Sequence, residues 1–188
     1  MKVNKKVVDF IFEMGHLKRI RHEGWRLIGV DEPETVAAHS LRAAQIGYVL
    51  AKMSGYSNPH EIVTMLAFHD MAETRIGDLH KVAQRYVTAD EEKVVKEQIE
   101  TAPDVLSELL TLWQSVENRS NEAGNLAKDA DLLEQAFTAL EYVSCGFPMA
   151  IKWYDAVGKA IVTDVAKNLY ASLSGVEVND WWQDLKKY

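Results

Sequence analysis

Residues 66–78, LAFHDMAETRIGD, place His69 directly before Asp70, with Glu73 three residues on and Asp78 beyond. The run before them, IVTMLAF, is almost wholly apolar and has the character of a buried helix. Charged side chains at the end of such a helix are costly unless they are paired or bound to metal. Adjacent helical residues point about 100° apart, so His69 and Asp70 flank one ion near a helix end without filling its shell. Glu73 follows His69 by four residues and Asp70 by three, which lets all three line one patch. Further ligands must come from other helices. His39 stands in the middle of a small, apolar helix, and LAKDADLLEQA offers Asp129 and Asp131. These two aspartates point nearly oppositely, and spacing does not choose between them, since Asp129 leans toward the Leu126/Leu133 stripe. Two imidazoles and two carboxylates suit a divalent transition metal such as Mn, Co, Ni, Fe or Zn, with Mg also admitted. They suit calcium poorly, because calcium takes all-oxygen shells.

Each signal is weak when taken singly. A lone histidine on an apolar helix is usually a hydrogen-bonded core residue, and His-Asp is a common dipeptide. Arg19 and Arg21 are ordinary surface charges until something connects them to a site. Trp25 is less ordinary: a large indole in a polar loop either plugs the core or walls a pocket. His80, after GDL, has two open readings, a pocket wall and a surface loop.

The elements that must position these residues are helical. Val7, Phe10, Ile11 and Met14 form a first stripe at helical spacing. Residues 20–34, broken by Gly24, Gly29 and Pro33, form a loop. A helix follows from Thr35 as N-cap to a stop at Gly55, and Asn58-Pro59 opens the next. The pattern is interrupted over 76–87. Thr88 and Glu91 have the spacing of a capping box, and Pro103 starts another helix. A long helix over about 122–143 carries Leu126, Ala130, Leu133, Phe137 and Leu140 on one face. Gly146-Phe147-Pro148 ends it, one further long helix reaches about Leu173, and the tail docks through Trp181 and Trp182. The expected fold is all-α, a single domain over 1–188 with six to eight helices.

Composition narrows the partners. Lys plus Arg number 21 against 28 Asp plus Glu, a net charge of −7, which argues against nucleic-acid binding. The single cysteine, Cys145, gives no disulfide framework and fits a reducing cytoplasm. No apolar run approaches membrane-spanning length, and the N-terminal residues lack a signal-peptide pattern. The expectation is a cytoplasmic protein acting on a small molecule, with no membrane or nucleic-acid partner.

In order along the chain, LKRIRHEGWRLIGV, PETVAAHSLRAA, LAFHDMAETRIGDL and NEAGNLAKDADLLEQA resemble the HD-domain metal-dependent phosphohydrolases, whose pattern is H…HD…D on a helical bundle. Within that family the chain most resembles the 5'-deoxynucleotidases, over about residues 17–145. The resemblance implies that His39, His69, Asp70 and Asp131 bind the metal, and it favours Asp131 over Asp129. It implies that Glu73 is the catalytic glutamate, that Asp78 contacts the sugar, and that Trp25 packs near the 2' position. Arg19 is the implied phosphate ligand, with Arg21 in reserve. The position before the first ligand, often acidic in the family, is Ala38 here. The acceptor that a ligating histidine requires for its other N–H is then expected from the helix backbone or from Glu34.

The activity so implied is hydrolysis of deoxyribonucleoside 5'-monophosphates, by a chain that self-associates as a homodimer or higher oligomer. Rival readings are an HD phosphohydrolase acting on dNTPs or guanosine polyphosphates, and a non-catalytic helical module that keeps a metal for stability. The segment that marks cyclic-dinucleotide phosphodiesterases of this family is absent. Six histidines, with His16, His22 and His60 outside the matching positions, are too few for a di-iron oxygenase.

Overall fold

The computed structural model describes residues 5–186. Its α-helices are α1 (Lys5–Met14), α2 (Val36–Ser54), α3 (Pro59–Phe68), α4 (Glu73–Ile76), α5 (Glu91–Glu100), α6 (Pro103–Glu117), α7 (Glu122–Ser144), α8 (Ile151–Ala160) and α9 (Asp164–Ser172). Eight of these run nine residues or more, and α4 is a single turn. Among the described residues the only β pairing is an isolated antiparallel bridge between Arg21 and Thr35. The all-α expectation holds.

The bundle is organised around α7, which packs on α2, α3, α6, α8 and α9. A helix enclosed by five others must be apolar or small on nearly every side. Here Leu126 and Leu133 are accompanied by buried Ala123, Ala127, Ala130, Ala136 and Ala139. The alanines let neighbouring backbones come close, and each buried leucine contributes about 1.5–3 kcal/mol. The facing contact between α2 and α3 is closer still at Gly47, where a Cβ would collide with the side chains of Leu66 and Ile62. That approach sets the spacing of the helices that carry His39 and lead into His69.

Some local expectations are corrected. The capping box at Thr88 does not form; Asp90 caps α5 instead, accepting from the Lys93 amide at 3.0 Å. An aspartate directly before the first helical residue can reach that amide, whereas Thr88 stands too far back. The last long helix is broken into α8 and α9 by extended Ile161, and Thr163 caps the second piece. In α1, Phe10 is buried and Val7 and Met14 pack on the core, but Ile11 faces solvent. The tail does not bury both tryptophans: Trp181 is 76% exposed. Trp182 is half-buried, donates to Asn179 Oδ1 and lies under the Lys186 ammonium. In the 20–34 loop, residues Glu23–Ile28 wind into a 3-10 helix that seats Trp25.

Candidate metal centre and substrate chamber

Three elements bring the metal-type side chains together. His39 comes from the first turn of α2, whose start is fixed by the Thr35 hydroxyl accepting from Ala38 N at 3.1 Å. His69 and Asp70 come from the turn that ends α3, and Asp131 comes from the middle of α7. His39 Nε2 lies 3.1 Å from Asp131 Oδ1 and 3.8 Å from Asp70 Oδ2. His69 Nε2 lies 3.1 Å from Asp70 Oδ2 and 3.7 Å from Asp131 Oδ1. The donor atoms of His39, His69 and Asp131 all fall within 4.8 Å of one another.

The outer nitrogen of each imidazole is already committed. His69 Nδ1 donates to the Leu66 carbonyl at 2.8 Å, which fixes the tautomer and leaves Nε2 bare. That Nε2 is buried and makes no hydrogen bond; Asp70 is near it but outside hydrogen-bonding geometry. His39 Nδ1 meets Glu134 Oε2 at 2.5 Å. Glu134 is fully buried and is held in turn by Arg42 Nε at 2.8 Å and by the Thr138 hydroxyl at 2.9 Å. The acceptor expected from the backbone or Glu34 is therefore Glu134, one turn after Asp131 on α7. Glu34 instead stands beside His22, 3.5 Å from its Nδ1.

The two candidate aspartates of α7 separate cleanly. Asp131 enters the cluster, whereas Asp129 faces the other side of the helix. Its carboxylate accepts from Val162 N, Thr163 N and the Thr163 hydroxyl, and it pairs with Arg119 at 2.8 Å. Asp129 thus anchors the start of α9.

Glu73 opens α4 and lines the same chamber, with Oε2 buried and unpartnered. Burial, followed by the charges of Asp70 and Asp78, pushes its carboxyl up to about 10. Burial opposes a proton on His39, but Asp131 and Glu134 outweigh it and raise the imidazole well above its usual range. His69 is raised against burial by Asp70 and Asp131. Burial leads for Glu73 and opposes the two histidines, but in all three the neighbouring carboxylates push the same way, toward holding a proton. A divalent ion fits those carboxylates, and the bare Nε2 of His69 fits its first shell. His39, His69, Asp70 and Asp131 are the residues that would hold it.

The cation in this chamber is one that sequence reasoning missed. Lys128 Nζ lies 3.1 Å from Asp131 and 3.4 Å from Glu117, and it lines the chamber with the metal-type residues. Its position three residues before Asp131 was the available signal. Arg19 is exposed and lines neither this chamber nor its neighbour. Arg21 is turned away, donating to the Pro33 carbonyl and pairing with Glu32.

A second chamber of about 200 Å³ adjoins the first and shares His22, Asp78, Gln84 and Gln135 with it. Trp25 forms its wall while being only 2% exposed, so it both plugs the core and bounds a pocket. Its ring is held edge-on by Tyr142 at 5.0 Å and at a 33° tilt by Trp153 at 5.3 Å. Asp78 stands at the junction, where Oδ2 accepts from Glu23 N at 2.6 Å and fixes the Trp25 loop to the loop after α4. His22, also missed, packs against His39 with ring centroids 4.4 Å apart and planes tilted by 49°.

A family model described as an HD domain matches residues 14–167. The chain is similar to the Bos taurus protein named 5'-deoxynucleotidase HDDC2, 30% identical over 73% of this chain and 68% of that one. Its fold matches a conserved hypothetical protein from Pyrococcus furiosus, with a TM-score of 0.75 and 27% identity over 90% of this chain and 99% of the other. It also matches the fold of a protein from Magnetospirillum magnetotacticum named a predicted metal-dependent phosphohydrolase. There the TM-score is 0.63 with 21% identity, over 90% of this chain and 89% of that one. The H…HD…D order read from the sequence, the helical bundle that gathers those residues, and a family match over most of the length agree: the chain belongs to the HD-domain family of metal-dependent phosphohydrolases.

Proposed function

We propose that this protein is a 5'-deoxynucleotidase, hydrolysing deoxyribonucleoside 5'-monophosphates to deoxynucleoside and orthophosphate. The carrying observation is the pairing of two adjoining chambers: an acidic one with bare imidazole nitrogen, and an aromatic one walled by Trp25. His39, His69, Asp70 and Asp131 would hold a divalent metal, one of Mn, Co, Ni, Fe or Zn, with Mg also admitted. When bound, the ion supplies positive charge against the phosphoryl oxygens and acidifies water.

The chain's own residues do the rest. Water attacks phosphorus, the P–O5' bond breaks, and the departing 5'-oxygen takes up a proton. Glu73 is the residue that manages this proton, since its carboxyl lines the chamber beside the metal-type residues with Oε2 buried and unpartnered. Lys128 balances charge on the phosphoryl oxygens, in the role first assigned to Arg19. Asp78 keeps Oδ1 free for a sugar hydroxyl, because Oδ2 is held by Glu23 N. Trp25, immobilised by Tyr142 and Trp153, excludes a 2'-hydroxyl by bulk. The protein so proposed is cytoplasmic and self-associates as a homodimer or higher oligomer.

The test is phosphate release from the four deoxynucleoside monophosphates and their ribose counterparts, after EDTA treatment and with Mn, Co or Mg restored. Metal-dependent release from the deoxy series alone is expected. Glu73→Ala should retain metal and lose turnover; a variant that keeps turnover overturns Glu73's role. Equal release from both sugars removes Trp25 as the selector, and no release with any metal overturns the monophosphatase reading.

A further inference from the structure

We propose that His22 is a fifth protein ligand of the metal ion, joining His39, His69, Asp70 and Asp131. The inference rests on those four residues holding a metal, and it is independent of which phosphate ester is the substrate.

Two triads of donor atoms meet at His39. One is His39, His69 and Asp131, and the other is His22, His39 and Asp70; within each, the atoms lie inside 4.8 Å of one another. The His39 atom that faces the aspartates is Nε2, 3.1 Å from Asp131 and 3.8 Å from Asp70, while Nδ1 is taken by Glu134. Both triads therefore enclose the same space, and His22 lines that chamber with the other four.

The spacing of the rings agrees. An imidazole ligated at about 2.1 Å has its ring centre about 3.2 Å from the ion, so two at a right angle have centres about 4.5 Å apart. His22 and His39 are 4.4 Å apart, and His39 and His69 are 5.4 Å apart. The first spacing is that of neighbouring ligands on an octahedral ion, and the second is that of a wider angle.

His22 also has the surroundings of a ligand. Among the described residues neither of its ring nitrogens makes a hydrogen bond, although the side chain is only 13% exposed. Its ionic contact is Glu34, 3.5 Å from Nδ1. All three imidazoles are then built alike, with an outer nitrogen beside an oxygen: the Leu66 carbonyl for His69, Glu134 for His39 and Glu34 for His22. Metal-ligating histidines characteristically have such an oxygen at the other ring nitrogen. The backbone keeps His22 in place, since its N–H donates to the Glu34 carbonyl at 3.1 Å and Val36 N donates to the Ile20 carbonyl at 3.0 Å.

Three imidazoles and two carboxylates leave one position of an octahedron open. That donor set suits Mn, Fe, Co or Ni. It suits Zn less, because zinc sites are mostly four-coordinate, and Mg less, because Mg takes oxygen ligands.

The experiment titrates Co(II) into the EDTA-stripped full chain, without substrate, and reads calorimetry together with the visible d–d bands of the bound ion. Wild-type protein should give the weak bands of five- or six-coordinate Co. His22→Ala and His22→Gln should each bind Co at least about tenfold more weakly, and their bands should move as a nitrogen donor is lost. The glutamine variant keeps a polar group beside Glu34, so the loop stays seated if the alanine variant disturbs it. Wild-type affinity and bands in both variants overturn the proposal and leave His22 as a packing or substrate contact. Weaker binding with unchanged bands also overturns it, because a displaced loop would do the same. If wild type binds no Co, the four-residue centre falls, and the proposal falls with it.

Discussion

His39 Nδ1 and Glu134 Oε2 stand 2.5 Å apart, so a side chain that lines neither chamber determines which nitrogen of His39 faces the acidic one. Glu134 is fixed by Arg42 and Thr138, which join α2 to α7 at the point where each contributes a metal-type residue. Partners of this kind set ligand orientation and basicity, and their loss typically costs 10- to 100-fold in metal affinity. Glu134→Gln should therefore weaken metal binding by about that factor while the protein remains folded. Titration calorimetry of Mn or Co into EDTA-stripped protein checks it; an unchanged affinity would reduce Glu134 to a packing role.

The exchange of Arg19 for Lys128 as the charge opposite phosphate makes a paired prediction. Lys128→Met should lower kcat/KM for a deoxynucleotide about 10²-fold, the usual effect of removing one preorganised donor from a charged transition state. Arg19→Ala should change it by less than about twofold, as expected of an exposed side chain outside the chamber. Steady-state kinetics on the two variants decides. The reverse ranking would restore the arginine and place the phosphate toward the 20–34 loop.

How legible the site was in the sequence depended on how far apart its parts lie. His69, Asp70 and Glu73 share one short stretch, and helix geometry alone places them on one patch. His39 was visible as a polar residue on an otherwise apolar face. Lys128 and Glu134 were not recognised, although each is one turn from Asp131, because a charge on a long helix is ordinarily solvated. Only the packing of α7 at the centre of the bundle buries Glu134 and brings the partly exposed Lys128 to the chamber wall. His22 was set aside for lying outside the family pattern, yet the bridge between Arg21 and Thr35 returns its loop to the start of α2. The break between α8 and α9 had no breaker residue to announce it. It is imposed by a carboxylate thirty-odd residues away, at Asp129.

Asp129 and Asp131 are two residues apart on one helix and should respond differently to substitution. Asp129 is buried, paired with Arg119, and bonded to the backbone that starts α9. Removing one partner of a buried ion pair costs about 3–5 kcal/mol, so Asp129→Ala should lose stability on that scale in urea denaturation. Asp131→Ala should instead abolish tight metal binding. Against burial, the Asp131 carboxyl is held well below the usual range by the Lys128 charge and the hydrogen bond with His39. The metal-free variant therefore also loses a buried ion pair, and what separates it from Asp129→Ala is metal affinity. Unchanged metal affinity in Asp131→Ala, or lost affinity in Asp129→Ala, would contradict this division of labour.

Acid should act first through carboxylates held by donors, and Glu13 is a clear case away from the metal-type residues. It joins α1 to α4 and α5, accepting from Arg75 Nε at 2.6 Å, Gln98 Nε2 at 2.7 Å and the Thr74 hydroxyl at 3.1 Å. Burial raises its pKa, but the hydrogen bonds from Arg75 and Gln98 and the Arg75 charge outweigh it, so the folded value lies below 4.5. A carboxylate depressed by folding contributes stability above its unfolded pKa and loses that contribution as pH falls through the folded value. Glu13→Gln should thus cost about 1.5–3 kcal/mol at pH 7, the range for hydrogen bonds to a charged group. The difference from wild type should persist down to about pH 4.5 and narrow steadily below it. Urea melts across that range measure the difference directly. A gap that stays constant into acid would mean that shape, and not the charge on Glu13, holds α4 and its leading residue Glu73 against the bundle.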